Sequence, residues 1–284
     1  MNLFKKHFKI ICLSIFLIIN IFIFYVIHSK HFDRLRIVFL DIGQGDSILI
    51  ESPTGNQILI DGGLNRKVLE ALGREIPFYD RSIDAVIATH PDADHIGGLP
   101  FVLKRYRVGN YFDNGMTSDT SLFEELDKEI VNKKISYFKA TQGMLIDIGG
   151  GAYLRILYPV VNTGDDTNKN SIVAKLYFGG ASILLTGDAP LETENILVKK
   201  YGKELESDIL KVAHHGSKYS LSEAFISAVS PVESIISVNR DNRYGHPNIE
   251  VLDFLKEIKS EVLQTYEEGN IVFESDGYSL KRIK

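Results

Sequence analysis

The sequence predicts a four-layer α/β sandwich, in the order αββα, preceded by one transmembrane helix. Three observations carry this. Ile10 to Ile27 is an 18-residue run without a charge. Short apolar strand-like segments then alternate with single helices, the pattern of two sheets covered by helices. The roughly 250 residues that follow suit one sandwich with its own core. Residues 1–30 are expected to form a cytoplasmic N-terminus and membrane anchor, and residues 31–284 a single folded domain.

The uncharged run is interrupted only by Cys12, Ser14 and Asn20. As a helix it spans about 27 Å, enough for a bilayer core. Lys5, Lys6 and Lys9 precede it, so the positive-inside bias expects a cytoplasmic N-terminus and an extracytoplasmic domain. No small-x-small cleavage site occurs at His28-Ser29-Lys30-His31, which favours an anchor over a cleaved signal. Cys12 is the single cysteine. A disulfide scaffold and a thiolate metal site are therefore excluded.

Strands are expected at Leu35–Asp41, Ser47–Glu51, Gln57–Asp61, Ile83–Thr89, Val108–Phe112, Tyr153–Tyr158, Ser171–Phe178, Ser182–Thr186, Ile209–Ala213 and Ser234–Val238. Two more are expected around Leu263 and at Ile271–Glu274. Helices are expected at Leu64–Leu72, Gly97–Tyr106, Leu122–Asn132, Pro190–Tyr201, Glu223–Val229 and Ile249–Ile258. Pro190 opens its helix in the first turn, where a missing N–H costs nothing.

The net charge of −5 conceals an asymmetry. Residues 1–30 carry four lysines and no carboxylate, leaving 28 basic and 37 acidic residues in the remainder, a balance of −9. A broad nucleic-acid face has the opposite sign. Contact with a polyanion is expected to be local, through metal ions or through groups such as Ser217, Lys218 and Arg243.

The densest chemical signal is Thr89-His90-Pro91-Asp92-Ala93-Asp94-His95-Ile96-Gly97-Gly98. Four ligand-type side chains fall within six residues, between a buried strand and a helix. Helical or strand periodicity could not bring all four to one point, whereas an irregular loop can, and Gly97-Gly98 allow close backbone passage. Carboxylates and imidazoles this crowded repel or desolvate one another without a divalent cation.

This run resembles the His-x-His-x-Asp-His motif of metallo-β-lactamase-fold hydrolases, with Asp92 in the place of the second His. With Asp41-Ile42-Gly43-Gln44-Gly45-Asp46 upstream, it is similar to the hydrolase domain of the ComEC competence proteins. The resemblance continues through Ile60-Asp61-Gly62-Gly63, Asn170-Ser171, Leu185-Thr186-Gly187-Asp188, His214-His215-Gly216-Ser217 and Arg243-Tyr244-Gly245-His246-Pro247.

The resemblance implies two divalent ions, Zn²⁺ or Mn²⁺. His90 and Asp92 match ligands of one, Asp94 and His95 ligands of the other, and Asp188 the bridging carboxylate. His246 matches the last ligand. His215, with His214 beside it, would then act as proton donor to the leaving oxygen; the spacing leaves the opposite assignment open. Asn168-Lys169-Asn170-Ser171 stand where many relatives have a third His, so the site is richer in oxygen donors and more tolerant of Mn²⁺. Asn170 and Ser171 either hold a substrate phosphate oxygen or merely start a strand. Asp61 is expected to hydrogen-bond the metal loop and orient it, and Asp46, Gln44 and Asp41 to shape the same rim.

The implied activity is hydrolysis of a phosphodiester, DNA among the candidates, by a metal-activated hydroxide. The alternative is a smaller or cell-wall phosphoester, which an acidic surface suits better. β-Lactam hydrolysis is disfavoured by Asp92 and Asn170. A non-catalytic tethered binding module is disfavoured by intact His90, Asp94, His95 and Asp188.

Overall fold

The structure, a computed structural model, describes residues 2–29, 33–160, 164 and 166–284. The expected boundary between residues 30 and 31 lies outside the described residues. Helix α1 (Asn2–Ser29) contains His7–Tyr25, a stretch of mean hydropathy 2.4 with no part of it buried against the protein. By length and composition it can cross a membrane.

The first sheet is opened by β1 (Leu35–Phe39), β2 (Ile48–Glu51), β3 (Gln57–Ile60), β4 (Ser82–Ile87), β5 (Arg107–Asp113) and β6 (Ser136–Lys139). The second contains β7 (Leu145–Gly149), β8 (Ala152–Tyr158), β9 (Val173–Phe178), β10 (Ala181–Leu185), β11 (Ile209–Lys211), β12 (Glu233–Ile236) and β13 (Glu261–Gln264). The chain then returns to the first with β14 (Ile271–Ser275) and β15 (Leu280–Arg282). Strand order is β15-β14-β1-β2-β3-β4-β5-β6 in one sheet and β13-β12-β11-β10-β9-β8-β7 in the other.

Strands β3 to β6 run parallel, as do β10 to β13, and the remaining pairs are antiparallel. Parallel neighbours need crossovers. Helices α2 (Lys67–Glu75), α4 (Leu99–Arg105) and α5 (Ser121–Asn132) supply them in the first sheet; α6 (Leu191–Tyr201), α7 (Glu223–Val229) and α8 (Ile249–Glu257) supply them in the second. Two one-turn helices, α3 (Ala93–Ile96) and α9 (Thr265–Glu268), complete the set.

Period-two alternation sends each strand's side chains to two different cores. Ile37, Phe39, Ile58 and Ile60 meet Leu154, Ile156, Leu176 and Ile183 between the sheets. Val38, Leu59 and Val86 face the other way, onto Val68, Leu72, Val102 and Leu126 of the helices. Leu184 and Leu210 face Leu197, Phe225 and Leu255 on the far side. These contacts make the four expected layers, and each fully buried Leu or Ile contributes about 1.5–3 kcal/mol.

Three strands were not expected: β6, β7 and β15. All are edge strands, β6 is exposed throughout, β15 is mostly exposed, and β7 buries Ile148 alone. Edge strands with polar faces carry no apolar alternation to read. Helix α2 also starts three residues later than expected, and Asp94 and His95 lie on α3 rather than in a fully irregular loop.

Candidate metal centre

Each chemically interesting side chain sits just beyond a strand's carboxyl end. Asp61 follows β3, His90 follows β4, Asp188 follows β10, and His214-His215 follow β11. Parallel strands from the two sheets thus deliver their terminal loops to one place, the usual location of sites in α/β folds. Two glycines let those loops close up. A Cβ on Gly45, at φ 112°, would lie 2.0 Å from the Asp94 carbonyl oxygen, and one on Gly98 would lie 1.9 Å from the Gly62 carbonyl oxygen. Backbone bonds hold the contact: Asp46 N–H donates to Asp94 O (3.2 Å) and Gly62 N–H to His95 O (2.7 Å).

Three buried imidazoles converge on two carboxylates. His95 Nε2 is 3.3 Å from Asp188 Oδ2; His215 Nε2 is 3.6 Å from the same oxygen and 3.3 Å from Asp94 Oδ2. His90, His95 and Asp188 place ligand atoms within 4.8 Å of one another, and so do Asp94, His95 and His215. The Nε2 atoms of His90, His95 and His215 and Oδ1 of Asp188 are buried without a hydrogen-bond partner. Buried polar atoms are rarely left so.

Every one of those imidazoles is engaged through its other nitrogen. His95 Nδ1 is 2.8 Å from Asp61 Oδ2, His215 Nδ1 is 2.8 Å from Ser237 O, and His90 Nδ1 is 3.0 Å from Thr89 Oγ1 and 3.2 Å from Ser171 Oγ. Fixing Nδ1 aims Nε2 inward, the arrangement that metal-ligating histidines adopt. Asp61 itself is locked, accepting from Thr89 N–H (2.8 Å) and Thr89 Oγ1 (2.7 Å). The donor set is nitrogen and oxygen only, it is aimed, and it is unsatisfied. These residues fit divalent cations of the zinc or manganese type.

The electrostatics agree. Burial opposes a charge on His95, but Asp188 and Asp61 outweigh it and raise its pKa well above the ordinary value. Burial likewise opposes the Asp188 carboxylate, and His95 and His215 outweigh it, holding its pKa well below the ordinary value. At His90, burial joined by repulsion from His95 pushes the pKa well down, so its imidazole is neutral and ready to ligate.

The backbone at His214 and His215 is left-handed, with φ 50° and 55°. Such conformations cost on the order of 1 kcal/mol each and cluster at functional sites. The turn splits the pair: His215 points inward and is buried, while His214 is partly exposed with Nε2 3.8 Å from Asp188 Oδ2. His246 packs against His214, ring centres 5.9 Å apart, on the open side.

Several expectations change. His246 was expected to complete the second site, with His215 as proton donor; His215 instead joins the buried donors and His246 does not, because only the inward imidazole reaches Asp94 and Asp188. Asn170 and Ser171, left open between a phosphate contact and the start of a strand, lie inside the protein. Both are fully buried; the Asn170 amide donates to Gly164 O and Asp166 O, and Ser171 Oγ contacts His90 and accepts from Asp188 N–H. Ser217 is also buried, its hydroxyl accepting from Tyr219 N–H.

Asp92 stays at the rim, with Oδ2 3.8 Å from His90 Nε2. Gln44 Oε1 accepts from Asn239 N–H at 3.5 Å. Asp41 Oδ1 accepts from Gly43 N–H at 3.4 Å and so braces its own loop. Asp46 pairs with Lys211, which sequence reasoning missed. Lys211 is fully buried, contacts Asp46, donates to Gly187 O at 3.2 Å and lies 3.9 Å from Asp188 Oδ1. A lone charge inside the apolar run Ile209-Leu210-Lys211-Val212-Ala213 was the available signal.

Asp61→Asn keeps the side-chain shape and removes the charge behind His95. It is expected to weaken metal affinity about 10- to 100-fold, the usual effect of losing such a support. Titration of the chelator-stripped protein with Zn²⁺ or Mn²⁺ by calorimetry checks this; unchanged affinity would show that Asp61 serves folding alone.

Comparison with known proteins identifies residues 40–112 as matching the metallo-beta-lactamase superfamily. The chain is 31% identical over 252 residues to ComE operon protein 3 of Bacillus subtilis, covering 82% of this chain and 32% of that protein. It is 29% identical over 237 residues to competence protein ComA of Neisseria gonorrhoeae, covering 82% and 31%. It thus spans about a third of the length of the curated relatives it matches. The fold resembles that of Igni18, a metallo hydrolase from the archaeon Ignicoccus hospitalis, with a TM-score of 0.55 at 15% identity, covering 84% of this chain and 98% of that one.

Proposed function

This chain carries a metallo-β-lactamase superfamily domain related to the competence proteins, and on that premise we propose that it is a membrane-anchored, metal-dependent phosphodiesterase acting on nucleic acid outside the cell membrane. The observation that carries the reading is the set of buried, aimed and unpartnered atoms on His90, His95, His215 and Asp188. His90, Asp92 and Asp188 would hold one ion, and Asp94, His95 and His215 the other. Divalent cations bound there supply Lewis acidity toward phosphoryl oxygens and lower the pKa of water toward neutrality.

The chain's own groups do the rest. Asp188 and Asp94 compensate positive charge in the buried centre. Asp61, Ser171 and Ser237 keep the imidazoles aimed. His214, on the open side with His246 packed beside it, is placed to protonate a departing oxygen. Burial, with His214 and His215 nearby, lowers the pKa of His246, which disfavours it as the proton donor. Lys5, Lys6 and Lys9, in α1 ahead of its uncharged run, support a cytoplasmic N-terminus by the positive-inside rule, with residues 31–284 then outside. The relatives' names, competence protein among them, favour a nucleic acid. The −9 balance of residues 31–284 favours the second reading, a smaller or cell-wall phosphoester.

Full-length protein in detergent, supplied with Mn²⁺ or Zn²⁺, separates these with single-stranded DNA, bis-p-nitrophenyl phosphate and nitrocefin. Cleavage of both diesters, lost at least about 100-fold in Asp94→Ala, is the expected result. Hydrolysis of the small diester with DNA untouched supports the second reading. Turnover of nitrocefin alone, or of nothing by metal-loaded protein, would end both.

A further inference from the structure

The rim of the metal centre carries two aromatic side chains with large exposed faces, Tyr219 (63% exposed) and Tyr244 (55%). Each is preceded in sequence by a cation close to its ring, that of Arg243 donating to the Tyr244 hydroxyl at 3.0 Å. Lys218 Nζ is 5.0 Å from the Tyr219 ring centre, and Arg243 Cζ is 5.1 Å from that of Tyr244. Between them stand His214 and His246, and a cleft of about 410 Å³ is lined by Tyr219, His214, His246 and Tyr244 together.

This cleft does not end there. It shares Tyr244 with a second cleft of about 440 Å³ that reaches Asp94 and Gln44, and that one shares Asn239 with a third containing Lys67, Arg74 and Arg240. On the other side it shares His214 and Tyr219 with a fourth, beside Lys169. The four adjoin through these shared residues, along the side of the centre that carries Asp94, His214 and His246.

Charge does not explain what such a groove would hold. Six basic residues line it, and so do six acidic ones, Asp41, Glu70, Asp94, Asp166, Glu192 and Asp241 among them. A polyanion gains little net attraction from that balance. Flat rings gain more. Stacking on an exposed aromatic is tolerant of sequence and needs no net charge, and the adjacent cation can reach the neighbouring phosphate.

The two platforms are held in place. Tyr219 N–H donates to Ser217 Oγ (3.3 Å) and its carbonyl accepts from Leu191 N–H (3.0 Å). Tyr244 N–H donates to Asn242 Oδ1 (3.2 Å), and one face of its ring stacks on His246 at 5.8 Å and 17°.

We propose that Tyr219 and Tyr244 are substrate-positioning residues that stack on unpaired bases on either side of the scissile phosphodiester, so that the substrate is a single-stranded nucleic acid laid along the groove. Duplex bases are already stacked on each other and offer no free face. This rests on the phosphodiesterase reading above and adds to it which strand form is taken and what grips it. On this reading Ser217, expected to hold the substrate, acts on it through Tyr219, from whose N–H its hydroxyl accepts.

The chain contains no tryptophan, so an introduced one reports on its own position. Full-length Tyr219→Trp and Tyr244→Trp proteins, held in EDTA to prevent turnover, are titrated with oligothymidylate and with an abasic oligonucleotide of equal length. Quenching of each tryptophan by the first but not the second is expected. In the presence of Mn²⁺, Tyr219→Ala and Tyr244→Ala should each lower kcat/KM for the oligonucleotide about tenfold or more through KM. The preference for normal over abasic substrate should collapse with it, and Tyr219→Phe and Tyr244→Phe should restore it.

Equal quenching by both oligonucleotides, or equal loss on both substrates in the alanine variants, would overturn the stacking inference. The two readings fail separately. A wild-type protein that cleaves no diester while its tryptophan variants are still quenched loses the hydrolase reading and keeps the platforms.

Discussion

Replacing Asp188 with alanine is expected to abolish hydrolysis, with a loss on the order of 10³-fold or more in kcat/KM for bis-p-nitrophenyl phosphate, because several kcal/mol of stabilisation depend on it at about 1.4 kcal/mol per tenfold. The reason is its position. It is fully buried and lies within ion-pair distance of His95, His214, His215 and Lys211. Two of these imidazoles, His95 and His215, belong to one proposed ion site, and a ligand atom of Asp188 also lies within 4.8 Å of that of His90 in the other. Loss of activity alone would not separate a ligand from a structural residue.

Metal-dependent stability does separate them. Ions that bind only the folded protein raise its stability by about 2.7 kcal/mol at a concentration 100 times the dissociation constant. Wild-type protein should therefore unfold at higher temperature with Mn²⁺ or Zn²⁺ than in chelator, and Asp188→Ala should not. A variant that keeps the full metal-dependent shift would remove Asp188 from the centre.

The second large effect belongs to Lys211. Its ammonium group is the cation in contact with Asp46, and both side chains are almost wholly buried. Removing one member of such a pair leaves the other charge uncompensated, at a cost of about 3–5 kcal/mol. Lys211→Met, which keeps the volume, should lower the urea-unfolding free energy of the chelated protein by that amount. Asp46→Asn combined with Lys211→Met should recover much of it, because neither charge is then left alone. Additive losses in the double variant would show that the two side chains act independently.

Lys211 also marks where sequence reasoning runs out. Its strand was legible from apolar residues on either side, but the charge has meaning only once Asp46, from a loop 165 positions earlier, is laid against it. The same holds for the last imidazole. His214, His215 and His246 have similar local surroundings in the sequence, each in a Gly-bearing loop. Two left-handed residues turn His215 inward and leave His214 outward, and the facing sheet then supplies Asp94 for His215 to meet. Ser171 and Asn170 were left open between two readings for a related reason: whether a hydroxyl or amide beside a ligand loop is available depends on packing, which here buries both.

What the chain alone determined is local or periodic. Its apolar run defined the N-terminal helix, alternation defined the two sheets and their layers, and the density of Asp and His at 90–95 and at strand ends marked the centre. Those features depend on neighbours within a few residues. Tertiary structure decided which nitrogen faces inward, which carboxylate meets which cation, and which tyrosines flank the groove. These depend on how two sheets with separate crossovers bring their strand ends together, and contacts across more than a hundred residues have no local pattern to announce them.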